Sequence, residues 1–435
     1  MELKNERALL LTLAAIQFTN IVDFMIMMPM GDILQKKLEI NPAQYGILVS
    51  SYGIAAFVTA FLGVFYLDRL DRKKALLVAY CGFIIGTLSS AILPNTDNQS
   101  LNYILFILTR VITGLTGGLM GGLVLAIVGD VVPFERRGRA MGIITIAFSL
   151  AAVIGMPVAL TLVDMFDNNW HVPFIGVSLL SVPILLFGIK YIPSLTAHIK
   201  QKTKDYDRME TIRLAFTNRE QRNALAFTIL LIMGQFTVVS FMTPYYINNV
   251  GLSQSDIKWI YLVGGAGTVI SGRIVGKWVD KYGRFRIFTI AAWCSVFCIL
   301  VVTHLPIVPL WFVLIMAGLF FVVVSGRMIP ANTISTTVVN PEHRGGFMSL
   351  NSSMMSLGSG ASGIIAGAIV TQSGEHSPLM NFDIVGYVAI GSTLLALLVV
   401  RLLKKLSAGR LKVAVDVSKN GAMHHEPQTH EKLPQ

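Results

Sequence analysis

Three charged side chains lie in stretches of chain where charge is expensive. Asp23 sits about halfway along the apolar run 8–34, Arg110 near the start of 103–131, and Arg327 inside 310–337. An ionisable residue within such a run is costly and marks a path for ions, protons or polar solutes. Thr19, Asn20 and Met27 share the helical face of Asp23 at i−4, i−3 and i+4, giving a polar, soft stripe. Desolvation disfavours the charged form of a carboxyl group, so Asp23 is the first candidate to carry a proton or bind a cation. The alternative is a structural aspartate held by an arginine or by backbone donors.

Arg110 is followed at spacing four by Gly114, Gly118, Gly122 and Ala126, small residues that let helices approach closely. Its guanidinium needs a partner, and Asp23 is one candidate. Arg327, in Ser325-Gly-Arg-Met-Ile-Pro330, either contacts an anionic group of a solute or reaches an interface along its stem. Gln235, Thr237 and Asn332 are further candidates to line a polar site. The second half of the chain has no acid matching Asp23: Ser240 or Phe241 falls there.

These residues are positioned by membrane-spanning helices. Of 435 residues, 54% are hydrophobic and 14% charged, against about 25% charged in soluble chains. Apolar runs recur at bilayer-crossing length, about 20 residues each. We count twelve: 8–34, 45–67, 75–93, 103–131, 140–163 and 172–191, then 224–246, 257–279, 287–304, 310–337, 347–371 and 385–403. The expected fold is an all-α integral membrane protein of twelve transmembrane helices in two pseudo-symmetric six-helix bundles. Residues 1–193 form the first bundle, 194–222 a central cytoplasmic loop, 223–403 the second bundle and 404–435 a polar, disordered tail. The first run is longer than a signal-peptide core and lacks a cleavage site, so it is expected to remain.

Of the 35 Lys and Arg, only Lys36, Lys37 and Lys258 fall near one side, and Arg110, Arg273 and Arg327 lie in spans. The positive-inside rule puts the remainder, with both termini, in the cytoplasm. The net charge of +11 thus reflects topology, not a nucleic-acid surface. The three cysteines all fall within spans and read as packing residues. No metal site or cofactor is implied.

The halves echo each other. Gly276-Lys-Trp-Val-Asp-Lys-Tyr-Gly-Arg-Phe-Arg286 repeats the loop Gly63-Val-Phe-Tyr-Leu-Asp-Arg-Leu-Asp-Arg-Lys-Lys74. Asp280 aligns on Asp68, Lys281 on Arg69 and Arg284 on Arg72. Gln17-Phe-Thr19 returns as Gln235-Phe-Thr237, and Pro133-Phe-Glu-Arg-Arg-Gly138 as Pro341-Glu-His-Arg-Gly345. Parallel repeats about a membrane-normal axis put a solute site near the midplane between the halves.

On these residues the chain resembles the major facilitator superfamily up to about residue 403. That family's loop reads roughly Gly-x-x-x-Asp-Arg-x-Gly-Arg-Arg. Gly276, Asp280, Lys281, Gly283 and Arg284 fit it. The first loop keeps Asp68, Arg69, Arg72 and Lys73 but has Val64 and Asp71 where glycines are expected. Arg110 to Gly114 is similar to the family's Arg-x-x-x-Gly. Gly155-Met-Pro157 partly matches the antiporter motif of efflux members, and Asp23 to Pro29 is similar to drug–proton and sugar-efflux permeases.

The resemblance implies a secondary transporter, read as an exporter, with Asp23 and Arg110 in proton coupling. It also implies that the two loops latch the cytoplasmic side; plain charge topology would explain their basic residues but not the repeated aspartate. The expected partners are the lipid bilayer of a plasma (inner) membrane, a small-molecule solute and protons, with the chain acting as a monomer. The alternatives are an importer of the same fold or a non-transporting membrane sensor or enzyme. No clustered catalytic residues and no phosphate-binding Gly-x-x-x-x-Gly-Lys-Ser/Thr loop argue for an enzyme.

Overall fold

In the computed structural model, residues 6–67, 70–94, 96–195, 208–339, 344–374 and 377–423 are described. They are almost entirely helical. The first half comprises α1 (Glu6–Met25), α2 (Gly31–Lys37), α3 (Pro42–Tyr66), α4 (Arg72–Ala91), α5 (Gln99–Val131), α6 (Phe134–Leu150), α7 (Met156–Met165) and α8 (His171–Tyr191). A short helix, α9 (Arg208–Thr217), leads into the second half. There follow α10 (Arg219–Tyr245), α11 (Gln254–Tyr282), α12 (Arg284–Thr303), α13 (Leu310–Gly326), α14 (Met328–Thr337), α15 (Arg344–Ile369) and α16 (Phe382–Met423).

Local sequence sets the starts of these helices. Asn41 and Gln44 cap α3 reciprocally, at 2.9 and 3.0 Å, with Pro42 in the first turn. Such a box satisfies backbone donors that the helix cannot. Asn98 and Asn218 cap α5 and α10 one way only, their side chains accepting first-turn amides. Pro157 lacks an N–H, and the chain before it, Ala151–Gly155, winds as a π-turn joining α6 to α7. Pro330 follows a second break, at Arg327 between α13 and α14.

Among the described residues, ten spans are long and apolar enough to cross a membrane. Two more long helices, α11 with 29 residues and α15 with 26, occupy the expected eighth and eleventh places. Their glycines and serines dilute the hydropathy that marks the others. The last helix runs on to Met423, past residue 403 where the sequence reading ends the span. Large apolar side chains such as Val78, Leu179, Leu186 and Trp311 are more than 60% exposed, as lipid-facing residues must be.

One end of the bundle is basic. Arg72, Lys73 and Arg136 meet Asp130, the Ile189 carbonyl and Glu6 there. At the far end the halves share one core: Met25 to Ile40 and Tyr45 of the first half pack in the same cluster as Phe236 to Leu252 and Ile257 of the second. Toward the basic end the apolar cores separate. One is built on Leu13, Tyr80, Phe83 and Met120, the other on Phe227, Phe288, Ile334 and Phe347.

Two seams join the halves. Along α3 and α15 the contact is backbone on backbone: a methyl at Gly46 would lie 2.5 Å from the Gly363 oxygen, and one at Gly53 2.8 Å from the Gly360 nitrogen. On the other side the π-turn meets α11, where a methyl at Gly265 would lie 2.6 Å from the Ala152 oxygen. The far end adds polar ties. Lys258 pairs with Asp164 at 2.9 Å, Asn248 donates to Asp32 at 2.8 Å, and Tyr45 donates to the Ser240 carbonyl at 3.2 Å.

Candidate functional site

Asp23 and Arg110, 87 positions apart, meet inside the first half, and neither side chain is exposed. Arg110 Nη1 donates to Asp23 Oδ1 at 3.1 Å, and Nη2 lies 2.9 Å from Oδ2. Nη2 also donates to the Asp23 backbone carbonyl at 3.2 Å. Helix α1 stops two residues later, so that carbonyl belongs to the last turn, whose acceptors lack partners within the helix. Arg110 therefore both neutralises the carboxylate and caps the helix that carries it. Thr87 donates to Oδ1 at 3.2 Å.

The Nη2–Oδ2 contact is an ion pair by distance but is not aligned as a hydrogen bond, and Oδ2 receives no other donor among the described residues. One oxygen of the carboxylate is thus well satisfied and the other is not. The Arg110 Nε likewise has no acceptor among them. Aromatic faces fill the space around the guanidinium, with Tyr52 at 5.2 Å and Phe174 at 5.6 Å from its carbon. Breaking a buried pair from one side leaves an uncompensated charge, at a cost of about 3–5 kcal/mol.

Asn20, one turn before Asp23, accepts from the Tyr52 hydroxyl at 2.6 Å and reaches the Gly117 carbonyl at 3.4 Å. Gly117 must lack a side chain, since a methyl there would strike both Tyr52 and Asn20. Phe24 lies between the Tyr52 ring at 5.2 Å and the Phe236 ring at 5.6 Å. That stack links the charged pair to the second half.

The other sequence candidates are more dispersed. Met27 lies beyond the end of α1, in a turn rather than on the Asp23 face, and its carbonyl accepts from Tyr45 at 3.1 Å. Thr237 is buried and bonds back to the Met233 carbonyl at 2.7 Å; Gln235 is half-buried beside it. Asn332 is exposed. Arg327 is fully buried and turns into the second bundle. It donates to Ser295 and Thr393 at 3.1 Å each and to the Leu231 carbonyl at 3.1 Å, with no carboxylate among its described partners. Gly155 ends the π-turn and Pro157 follows it in α7; a methyl at Gly155 would lie 2.5 Å from Val22 of α1.

Of the paired loops, Asp68 and Arg69 lie outside the described residues. Arg72 pairs with Asp130 at 2.7 Å and donates to the Ala126 carbonyl at 2.8 Å. In the second loop Gly276 is half-buried, Gly283 takes a positive φ of 84°, and Arg284 lies 5.3 Å from the Phe285 ring. Asp280 is exposed and forms no ion pair among the described residues. Thr87, Phe174, Asp130 and Asp164 are contributors that the sequence reading did not single out. Asp130 was open to discovery, as an acid at the end of a span facing a basic loop. Thr87 and Phe174 carry no such signal.

Known proteins share this architecture. A structure titled as a D-xylose–proton symporter superposes with a TM-score of 0.70 at 16% identity, over 90% of this chain and 96% of that one. A mutant form of the nucleoside transporter NupG gives 0.69 at 16% identity over 91% and 98%. Among sequences, the uncharacterized MFS-type transporter YceJ of Bacillus subtilis (strain 168) is 24% identical over 83% of this chain and 89% of its own. YwfA, another uncharacterized MFS-type transporter of that organism, is 26% identical over 68% and 69%. The family model described as Major Facilitator Superfamily matches residues 13–326 and also 224–421. With a nearly all-helical fold and this match along nearly its whole length, the chain belongs to the Major Facilitator Superfamily.

Proposed function

We propose that this transporter is proton-coupled and exports a small organic solute by alternating access. The observation that carries the proposal is the buried Asp23–Arg110 pair, with Oδ2 poorly satisfied. A proton arriving at Oδ2 neutralises the carboxylate and weakens its hold on Arg110. Arg110 also caps α1, so the loss of that hold is felt in the backbone beside the seam. Protonation is thereby tied to helix position within one side-chain contact.

The shared core at the far end and the separate cores at the basic end support an inward-facing arrangement, with the basic end in the cytoplasm of a plasma membrane. The halves then rock about the two seams. One proton driven by 100 mV supplies about 2.3 kcal/mol, and each tenfold solute gradient costs about 1.4 kcal/mol. One proton per cycle sustains one to two decades of gradient for a neutral solute. Asn20, Tyr52, Gln235 and Phe236 are the polar and aromatic groups we assign to solute contact. Sugars and nucleosides, named for the structural neighbours, join drug-like compounds as the first solutes to screen.

The test is transport by the full chain in proteoliposomes with an imposed pH gradient, after a thermal-shift screen has found a solute that stabilises it. Solute movement against the proton flow supports export, and co-movement establishes import by the same fold. Unchanged gradient-driven flux in Asp23→Asn at every pH would remove the proton role.

A further inference from the structure

At the basic end a cavity of about 610 Å³ is lined by Asp280 from the last turn of α11, Gly283 from the turn that follows, Arg284 and Arg286 from α12, Thr333 from α14 and Lys404 from α16. Three cations face one carboxylate there, and none of the three has an ion-pair partner among the described residues. The Arg284 Nε is shut from solvent and has no acceptor among them. Trp278 and Tyr282, on the adjoining end of α11, are 50% and 47% exposed. Such amphipathic rings sit at headgroup level, which puts the cavity mouth where lipid phosphates lie.

The duplicated loop in the first half shows what this position takes. Gly283 aligns with Asp71. Asp71 caps α4, accepting from the Lys73 amide at 3.0 Å, the Ser194 hydroxyl at 2.7 Å and the Leu195 amide at 3.1 Å. Burial pushes its carboxyl upward, but those donors and nearby Lys74 outweigh that and hold it below its ordinary range. The first half thus supplies its own anion beneath a basic helix start. In the second half glycine stands at the same place, α12 has no side-chain cap, and three cations gather around it. Unpaired amides and the helix dipole add to the attraction for negative charge.

We propose that this cavity binds the phosphate of an anionic phospholipid headgroup, with Arg284, Arg286 and Lys404 as its ligands. Basic pockets between transmembrane helices on the cytoplasmic side are suited to that chemistry. The assignment does not depend on the transported solute or on proton coupling.

The experiment follows thermal unfolding of the purified full chain in detergent with phosphatidylglycerol, phosphatidylcholine or inorganic phosphate added. Phosphatidylglycerol is expected to raise the midpoint more than phosphatidylcholine. The Arg284→Gln/Lys404→Gln variant is expected to lose most of that difference, and Lys277→Gln/Arg401→Gln, which removes equal charge outside the cavity, to keep it. An equal response in both variants would overturn the site. A pocket-dependent rise with inorganic phosphate alone supports the anion site but overturns the lipid as its source. Should the pocket variant not fold, native mass spectrometry of the wild type decides: preferential retention of phosphatidylglycerol over phosphatidylcholine supports the proposal, and equal retention rejects it.

Discussion

Among the described residues each half of this transporter fully buries one guanidinium, and the two are partnered differently. Arg110 faces a carboxylate, Asp23, with an ion-pair contact of 2.9 Å. Arg327 faces two hydroxyls and a carbonyl. A charge held by a titratable partner can be released by a proton, whereas one held by neutral acceptors stays bound at any physiological pH. On the proposed coupling, the first arrangement is a switch and the second a brace. The duplicated scaffold has kept its helices alike while dividing these tasks.

The sharpest way to break this contrast is at the pair itself. Arg110→Met leaves the Asp23 carboxylate buried without its cation, and a loss of about 3–5 kcal/mol is expected. Chemical unfolding in detergent measures it, and adding Asp23→Asn should recover part of the loss. Asp23→Asn alone should fold and lose gradient-driven flux. Next comes Arg327→Met, which gives up hydrogen bonds from a charged donor, each worth about 1.5–3 kcal/mol. It should lower stability while the pH dependence of flux, in the protein that folds, stays as in the wild type. A changed pH profile in that variant would make Arg327 part of the switch.

Smaller effects separate tight from open glycines on one helix. Gly114→Ala puts a methyl 2.5 Å from the Tyr52 oxygen, and overpacking of this kind costs about 1–3 kcal/mol. Gly122→Ala meets nothing within 4 Å and should be neutral or gain up to about 1 kcal/mol from helix propensity. The smallest concerns the two helix starts. Asp71→Ala loses a cap worth about 1 kcal/mol. Because the folded carboxyl titrates below its ordinary range, that contribution is present above the unfolded pKa, about 3.9. It fades as pH falls through the lowered folded value, so wild type and variant should converge in strong acid.

Much of the fold was legible because a bilayer imposes length and polarity on every span. The two helices hardest to recognise by hydropathy, α11 and α15, are rich in glycine and serine, and some of those glycines form the seams: Gly265 meets Ala152, and Gly360, Gly363 and Gly367 meet α3. Asp23 and Arg110 stood out individually, since charge is rare in such runs. Their pairing depends on how α1 packs against α5, which spacing along the chain does not encode. Arg327 shows the converse: its place within a span was apparent, but its full burial and its direction into the second bundle rest on Ser295 and Thr393, ordinary residues in sequence. Met27 fell off the Asp23 face because α1 ends at Met25, ahead of Pro29.

The glycine contact between α3 and α15 bears on mechanics. Side chains usually hold packed helices about 8–10 Å apart, and their interlocking resists rolling. At Gly46 and Gly367 the nearest atoms across the seam are all backbone, while the Ile54 and Ser50 side chains seat in the space left at Gly360 and Gly363, so the two helices touch closely along a line. Such a contact works like a knife-edge bearing. On the proposed rocking of the halves, it would set the axis on which they tilt.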